Sequence, residues 1–241
     1  MKTFIAPPPP PDLRKAALYL DFDGTLVDIA ARPDAVVVPD GLMPLLHALH
    51  QATGGALAIV SGRGVDVLEG FLPGFPGEMI GSHGGERRGH DTPPPPNLGR
   101  LQTELAVFAN AEGLYFEPKS HGGALHYRDR PEAESKVLDF ACALARRSPG
   151  YGLQRAKMAV ELRPANASKD AALALLSGEA PFAGRHPYYL GDDTTDEPAI
   201  AWANARGGTG IKIGEGETAT RHHIATPADV LAWLAAALEV H

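Results

Sequence analysis

Residues 16–25 read AALYLDFDGT, and this stretch decides the fold. Its first five residues form an uninterrupted apolar run, which favours a strand covered on both faces, as in a parallel sheet. The run ends abruptly in Asp21 and Asp23, which lie on a turn that Gly24 permits. One carboxylate could act as a nucleophile and the other as a general acid, and together they could bind a hard cation. The alternative is a solvated Asp-Gly turn after a strand.

Two more apolar runs end in polar residues in the same way. Residues 56–60 lead into Ser61, and residues 188–190 lead into the acidic segment 191–196. Helical patterns lie between and after these runs, with leucines at i, i+3, i+4 and i+7 from Leu42. Strands that alternate with helices predict the α/β class, with a doubly wound, Rossmann-like core built on a parallel sheet. Ligands of such sheets bind beyond the carboxyl ends of the strands, so we expect these polar residues to meet in one crevice.

The segment 87–165 has a different pattern. The proline run at residues 93–96 is typical of a linker, and helical and strand-like segments follow it. The helical segments begin near Leu98 and Pro131, and the strand-like segments are 114–119, 124–128, 151–155 and 157–163. We therefore predict a small α+β cap domain at 87–165, inserted into a catalytic core formed by residues 12–86 and 166–241.

Bulk properties narrow the class of protein. The chain has 241 residues and a net charge of −7, which argues against a nucleic-acid partner and against attraction to anionic membranes. No run is long enough to span a membrane. The prolines at 7–11 predict that residues 1–11 form an extended, proline-rich leader that acts as a passive spacer. The single Cys142 excludes an internal disulfide and favours a reducing, cytoplasmic location. The sequence does not determine the oligomeric state and is compatible with a monomer.

Three further segments supply candidate site residues. Ser61 offers a hydroxyl to a phosphoryl oxygen, although it could instead cap a helix. Lys169 lies at a predicted helix start, where a cation opposes the helix dipole, so an anionic partner is a better explanation than a structural role. Asp192 could complete an octahedral Mg²⁺ shell with the first acid pair and water. Asp193 and Asp196 could support that site, lie on the surface, or cap a helix.

Acid pair, hydroxyl, lysine and second acid cluster, in this order along an α/β chain, resemble the haloacid dehalogenase superfamily of phosphotransferases. The resemblance implies an aspartyl-phosphate intermediate and four catalytic residues. Asp21 would be the nucleophile, and Asp23 would serve first as general acid and then as general base. Ser61 and Lys169 would hold the phosphoryl group. Phosphoryl transfer requires positioning and charge neutralisation, which this set of groups provides.

The same resemblance implies Mg²⁺ as cofactor. Its ligands would be Asp21, the backbone carbonyl of Asp23, and Asp192, with Asp193 and Asp196 in supporting positions. Ligands that are all oxygen, without a soft donor, suit Mg²⁺ rather than Zn²⁺.

Strand-like segments of the predicted cap alternate in polarity. Val160 and Leu162 take one face of a strand, while Glu161 and Arg163 take the other. A sheet of this kind could be half exposed with solvated ion pairs. It could also be a lid whose polar face hydrogen-bonds the hydroxyls of a sugar.

Six segments in order along nearly the whole chain look like those of the trehalose-6-phosphate phosphatases: 61–63, 81–86, 117–119, 126–128, 161–164 and 191–197. The resemblance implies a phosphoric monoester hydrolase of trehalose biosynthesis that releases trehalose and phosphate from this small sugar phosphate. The implied substrate-binding residues are Arg63, Glu117, Lys119, Arg128, Lys157 and Glu161. The chain departs from the family in having Asp170 after the phosphate-binding Lys169, where Lys-Gly is common.

Three alternatives remain at this point. The chain could be a phosphatase for another sugar phosphate, such as sucrose phosphate or mannosylglycerate phosphate. A phosphomutase would return the phosphoryl group to its product instead of releasing phosphate. A catalytically silent sugar-phosphate sensor belongs to a different class of protein, and the presence of Asp21, Asp23, Lys169 and Asp192 argues against it.

Overall fold

The computed structural model describes residues 7–30, 32–156 and 158–239. These residues form two compact units, which are described separately. The core unit comprises the chain up to Arg88 and from Ser168 onward, and the insert unit is Gly89–Ala167. Both divisions fall two residues after those expected from the sequence.

Eleven strands are found in the described part of the chain: β1 (Ala16–Leu20), β2 (Leu57–Val60), β3 (Glu78–Gly81), β4 (Glu86–Arg87), β5 (Tyr115–Lys119), β6 (Gly122–His126), β7 (Tyr151–Ala156), β8 (Ala159–Pro164), β9 (His186–Gly191), β10 (Thr209–Ile213) and β11 (His222–Ile224). Its α-helices are α1 (Leu42–Ala52), α2 (Val65–Phe71), α3 (Leu98–Glu112), α4 (Glu134–Arg146), α5 (Lys169–Leu176), α6 (Glu197–Ala205) and α7 (Pro227–Glu239). Short 3-10 turns include Ser82–Gly84 and Thr194–Asp196. None of the helices in these ranges combines the length and apolar composition needed to cross a bilayer.

The core unit is built on a seven-stranded sheet in the order β11-β10-β9-β1-β2-β3-β4. All neighbouring pairs are parallel except β3 and β4. Leu18, in the middle of β1, pairs with Leu57 on one side and Tyr188 on the other. The three apolar runs singled out in the sequence are therefore adjacent strands, and the predicted α/β fold class is confirmed.

Helices cover both faces of this sheet, as a doubly wound fold requires. Leu18 and Leu20 lie in a core cluster that includes residues of α1, α2 and α7. Tyr19, on the opposite face of β1, lies in a second cluster with Leu173 of α5 and Ile200 of α6. An uninterrupted apolar run is needed at β1 because side chains from both faces of this central strand are buried.

The insert unit is a four-stranded antiparallel sheet in the order β5-β6-β8-β7. Leu125, Val160 and Leu162 pack in one cluster with residues of α3 and α4, so the helices cover one face of the sheet. The sequence extended β6 to Arg128, and this was wrong. The strand ends at His126, because the chain turns at Tyr127, whose carbonyl accepts from the amide of residue 130 at 3.0 Å.

The leader is packed against the core unit where the structure describes it. Pro8 and Pro11 are buried, and the carbonyl of Pro8 accepts a hydrogen bond from Nε1 of Trp233 at 2.7 Å. The passive spacer predicted for residues 1–11 is therefore wrong for Pro7–Pro11, because the rings of Pro8 and Pro11 are buried and the Pro8 carbonyl is hydrogen-bonded to the core unit. Residues 1–6 lie outside the described residues.

We expect Trp233→Phe to lower the free energy of unfolding more than Trp202→Phe does. Both tryptophans are buried, but Nε1 of Trp202 has no hydrogen-bond partner among the described residues, whereas Nε1 of Trp233 binds Pro8. Removing the satisfied donor leaves the Pro8 carbonyl unpaired, which should cost about 1–2 kcal/mol beyond the packing change shared by both variants. Urea unfolding of the two variants measures the difference. Equal losses would show that the leader contributes no stability through this bond.

Candidate active site

The turn after β1 places two acids at the centre of the sheet edge. The amide of Asp21 donates to the carbonyl of Leu190 at 3.0 Å, so the parallel pairing with β9 continues into the turn. Asp21 is buried, whereas Asp23 is half-buried. Gly24 has a φ of +74°, and a Cβ at this position would overlap the carboxylate of Asp192. The turn therefore requires glycine both for its backbone conformation and for the approach of Asp192.

Lys169 joins acids from two strand ends. Its Nζ donates to Oδ1 of Asp21 at 2.7 Å and to Oδ1 of Asp196 at 2.6 Å, and all three side chains are buried. The lysine is the first residue of α5, which Ser168 caps by accepting from the Ala171 amide. Burial alone would lower the pKa of the Lys169 ammonium, but the charges of Asp196 and Asp21 raise it above its ordinary value. The lysine therefore stays charged, and its predicted anionic partners are these two carboxylates.

Asp196 accepts three hydrogen bonds. Besides the lysine, its Oδ1 accepts from the hydroxyl of Tyr189, and its Oδ2 accepts from the amide of Asp193 at 3.0 Å. Asp193 caps the 3-10 turn that follows by accepting from the Thr194 amide at 2.7 Å. Burial and the charge of Asp196 raise the pKa of the Tyr189 hydroxyl well above its ordinary value, so it remains a donor. Together these bonds fix the loop that carries Asp192.

Asp21, Asp192 and Asp196 form an acidic cluster that could hold a metal ion. One carboxylate oxygen from each residue lies within 4.8 Å of the other two. Burial and the charge of Asp196 raise the pKa of Asp21 well above its ordinary range, and the same causes raise the pKa of Asp192 to about 7. Like charges at this separation favour a cation between them. Asp196 accepts three hydrogen bonds, more than either of the other two, so Asp21 and Asp192 are the stronger candidate ligands in this cluster.

The side chain of Asp23 is bound by Arg63 through both oxygens. Nε of the guanidinium lies 2.6 Å from Oδ2, and Nη2 lies 2.7 Å from Oδ1. The guanidinium also donates to the carbonyl of Pro33 at 2.9 Å and lies 4.9 Å from the centroid of the Phe71 ring. This bidentate pair fixes the orientation of Asp23. The substrate-binding role expected for Arg63 stays a prediction.

Ser61 is buried at the end of β2, beside a conformationally unusual segment. Its hydroxyl accepts from the amide of Arg63 at 3.2 Å, and its carbonyl accepts from the amide of His83 at 2.9 Å. His83 has a φ of +55°, and its ring packs so closely on Gly62 that a Cβ there would lie 2.6 Å from Nε2. The residue before α2 is Gly64, so Ser61 does not cap that helix and this alternative is wrong.

The polar face of the insert sheet carries two charged pairs. Nζ of Lys119 lies 3.0 Å from Oε2 of Glu161, and Nε2 of His126 lies 2.9 Å from Oε2 of Glu117. Burial alone would raise the pKa of Glu117, but the hydrogen bond to His126 and the charge of Lys119 bring it below its ordinary value. Strand register places Glu117, Ala124 and Glu161 in one row. Between these two carboxylates the row carries only the methyl group of Ala124. The side chain at the middle of the face is therefore shorter than those on either side of it.

Other residues of this unit have different positions. Nη2 of Arg163 donates to Oε1 of Gln154 at 3.0 Å and extends the polar face. Arg128 is exposed in the turn after β6. Lys157, predicted to bind substrate, lies outside the described residues. The structure thus brings Glu117, Lys119 and Glu161 onto one face but places Arg128 beyond the strand.

Two buried polar residues at the core site were missed from the sequence. Tyr189 lies in an apolar run of the sequence, yet its hydroxyl donates to Asp196. Lys212 is buried in β10 and donates to the main-chain carbonyl of Asp192. Its signal in the sequence is a lone lysine between two isoleucines, Ile211 and Ile213, in a strand whose neighbours are buried.

Comparison with known proteins agrees with this arrangement. The family model for trehalose-phosphatase matches residues 19–97 and 101–230. Trehalose-6-phosphate phosphatase of Escherichia coli (strain K12) is 39% identical over 227 residues, covering 91% of this chain and 85% of that relative.

Solved structures share the fold. The crystal structure of a trehalose-6-phosphate phosphatase related protein has a TM-score of 0.70 at 26% identity, covering 92% of this chain and 97% of that one. A haloacid dehalogenase-like hydrolase from Bacteroides thetaiotaomicron has a TM-score of 0.67 at 17% identity, with coverage of 94% and 99%, and this likeness concerns the fold alone. Since the family model matches most of the chain, and since a relative with 39% identity is aligned over most of its own length, the chain belongs to the trehalose-phosphatase family.

Proposed function

We propose that this chain is a Mg²⁺-dependent phosphatase that hydrolyses trehalose 6-phosphate to trehalose and phosphate. One observation carries the proposal: a buried lysine bridges Asp21 and Asp196 beside Asp192, at neighbouring strand ends. This arrangement offers a nucleophile, a fixed cation and oxygen ligands for a metal. Membership of the family and the name of the E. coli relative support trehalose 6-phosphate as the substrate.

Asp21 supplies the nucleophile in this proposal. Lys169 holds its Oδ1, whereas its Oδ2 has no hydrogen bond among the described residues, so Oδ2 is the attacking oxygen. A bond forms between Oδ2 and phosphorus as the bond from phosphorus to the sugar oxygen breaks. The leaving sugar oxygen takes a proton from Asp23. The products of this step are trehalose and a phosphoryl group on Asp21.

Hydrolysis of the aspartyl phosphate completes the cycle. A water molecule gives a proton to Asp23 and attacks phosphorus, and the bond from phosphorus to Asp21 breaks. Both oxygens of Asp23 are bound to Arg63 in the structure. Asp23 must therefore exchange at least one of these bonds for the leaving oxygen before it can transfer a proton.

Charge and donor groups hold the phosphoryl group in place. Lys169 and the hydroxyl of Ser61 would bind its oxygens. We propose that Asp21, the main-chain carbonyl of Asp23 and Asp192 hold Mg²⁺, because an all-oxygen donor set suits this ion. Asp193 and Asp196 would support the loop that carries Asp192. When bound, the ion neutralises charge on the phosphoryl oxygens and on the two carboxylates.

The polar face of the insert sheet is our candidate for binding the disaccharide. Glu117, Lys119 and Glu161 stand together there, with a low centre at Ala124 between the two carboxylates. Charged side chains that are paired with each other can replace a bond to their partner with a hydrogen bond to a sugar hydroxyl, while the sheet that carries them keeps its structure. Their roles in binding, and those of Arg63, Arg128 and Lys157, are part of the proposal.

The direct test is phosphate release from trehalose 6-phosphate, beside glucose 6-phosphate and sucrose 6-phosphate. We expect trehalose 6-phosphate to give the highest kcat/KM. Asp21→Asn should lose at least about 1,000-fold in kcat, because an amide cannot attack phosphorus. Asp34→Asn, at an exposed aspartate, is the matched control and should retain activity. Preference for another sugar phosphate would reject the substrate, and an active Asp21→Asn variant would reject the nucleophile.

Metal dependence should vary with pH in a defined direction. EDTA should abolish activity and added Mg²⁺ should restore it. Since the pKa of Asp192 is raised to about 7 without metal, this carboxyl is protonated below that pH and must lose its proton to bind a cation. Mg²⁺ affinity should therefore fall as the pH drops from about 8 to 6. Titration calorimetry at several pH values measures the trend, and an affinity independent of pH would contradict it.

The role of the insert face can be tested with Glu161→Gln, which keeps the shape of this buried side chain. Loss of charge-assisted hydrogen bonds to the sugar should lower kcat/KM for trehalose 6-phosphate by about 10- to 100-fold. Activity on p-nitrophenyl phosphate, which has no sugar, should change little. Glu132→Gln, at an exposed glutamate of the same unit, is the control. Equal losses on both substrates would indicate a folding defect, and no loss on either would remove Glu161 from the substrate site.

A further inference from the structure

Lys212 is a buried cation that the proposed chemistry does not use. It is 3% exposed and lies in β10, where its Cα pairs with Gly191 of β9. Ile211 and Ile213, on either side, point into the apolar cluster on one face of the sheet, so Lys212 takes the other face. Its side chain therefore starts beside the strand end that carries Asp192.

The partners of Lys212 are unusual for a buried lysine. Its Nζ donates to the main-chain carbonyls of Asp192 and of Ile213, the second at 2.9 Å. Within the described ranges it forms no ion pair with a carboxylate. The charge of Lys212 acts on the Asp192 carboxylate, but burying an ammonium is costly, and an apolar residue would fill the same space without that cost. Stability of the sheet is therefore a poor reason for a lysine here.

The bond to Asp192 has a direct structural effect. The hydrogen bond fixes the Asp192 carbonyl and with it the peptide plane next to the Cα that carries the side chain. The carboxylate of that side chain lies against Gly24. On the C-terminal side of Asp192, the capping bonds between Asp193 and Asp196 hold the loop. Lys212 holds the main chain at Asp192 itself, because no other described side chain donates to the Asp192 carbonyl.

We propose that Lys212 is a positioning residue of the metal site, which anchors the main chain at Asp192 so that this carboxylate faces Asp21 before a divalent cation binds. The inference rests on the proposed function, because it takes Asp192 to be a metal ligand. Groups that orient ligands from outside a metal site typically change metal affinity by about 10- to 100-fold when removed. An effect of this kind can be measured without substrate.

The test uses Mn²⁺ as a spectroscopic probe, since its preference for oxygen ligands resembles that of Mg²⁺. Free Mn²⁺ is measured by electron paramagnetic resonance in titrations of the wild type, Lys212→Met and Lys212→Gln. Lys136→Met, at an exposed lysine of the insert unit, is the control. We expect Lys212→Met to bind Mn²⁺ about 10- to 100-fold more weakly, Lys212→Gln to be weakened less because it keeps a donor, and the control to match the wild type. The Mg²⁺ concentration for half-maximal phosphatase activity should rise in parallel.

Circular dichroism at the titration temperature shows whether each variant is folded. Wild-type Mn²⁺ affinity in a folded Lys212→Met protein would overturn the proposal. If that variant does not fold, Lys212→Gln decides in the same way, and failure of both to fold would also overturn it, by assigning Lys212 to the stability of the sheet. A wild-type protein that does not bind Mn²⁺ would refute the metal assignment in the proposed function, and this inference with it.

Discussion

A buried ammonium held between two buried carboxylates links distant parts of the core unit. Lys169 begins α5, Asp21 follows β1, and Asp196 ends the turn after β9, so a single group joins three elements. Burial of any one of these charges alone would be costly, and each is tolerated because the others are present. The lysine also opposes the dipole of α5 at its first position. The hydrogen bonds from the ammonium to the two acids offset this unfavourable position.

Crowding of acids at this edge constrains the backbone around it. Three carboxylates share the cluster with one lysine. Two of these carboxylates occupy the space that a Cβ atom on a nearby residue would need. A Cβ at Gly24 would overlap Asp192, and a Cβ at Gly191 would overlap Asp196. Glycine is therefore required in the turn after β1 and at the end of β9 for reasons of packing, in addition to the positive φ at Gly24. The chemistry of the edge and the shape of its backbone depend on each other.

Features that follow from the end of a strand could be predicted from the sequence. Asp21 and Asp192 meet as expected, because parallel strands present their carboxyl ends at one edge. The pairing of Asp23 with Arg63 could not be predicted, since it depends on side-chain orientations within a loop. Nor could the hydrogen bond from Trp233 to the leader, because no local pattern connects residues so far apart. Strand β10 was missed because its lysine and glycine interrupt the apolar run that marked the other strands.

The pairing of β1 with β9 has a consequence for the order in which the chain can fold during synthesis. Ala16 lies beside His186, so the central strand of the core sheet lacks one neighbour until the chain has been made as far as β9. By contrast, every strand of the insert sheet is encoded between residues 115 and 164. Domains generally fold as units while the ribosome elongates the chain. All strands of the insert sheet are therefore synthesised before the core sheet can be completed. Until β9 has been made, β1 has one unpaired edge, which is a site where other chains can pair.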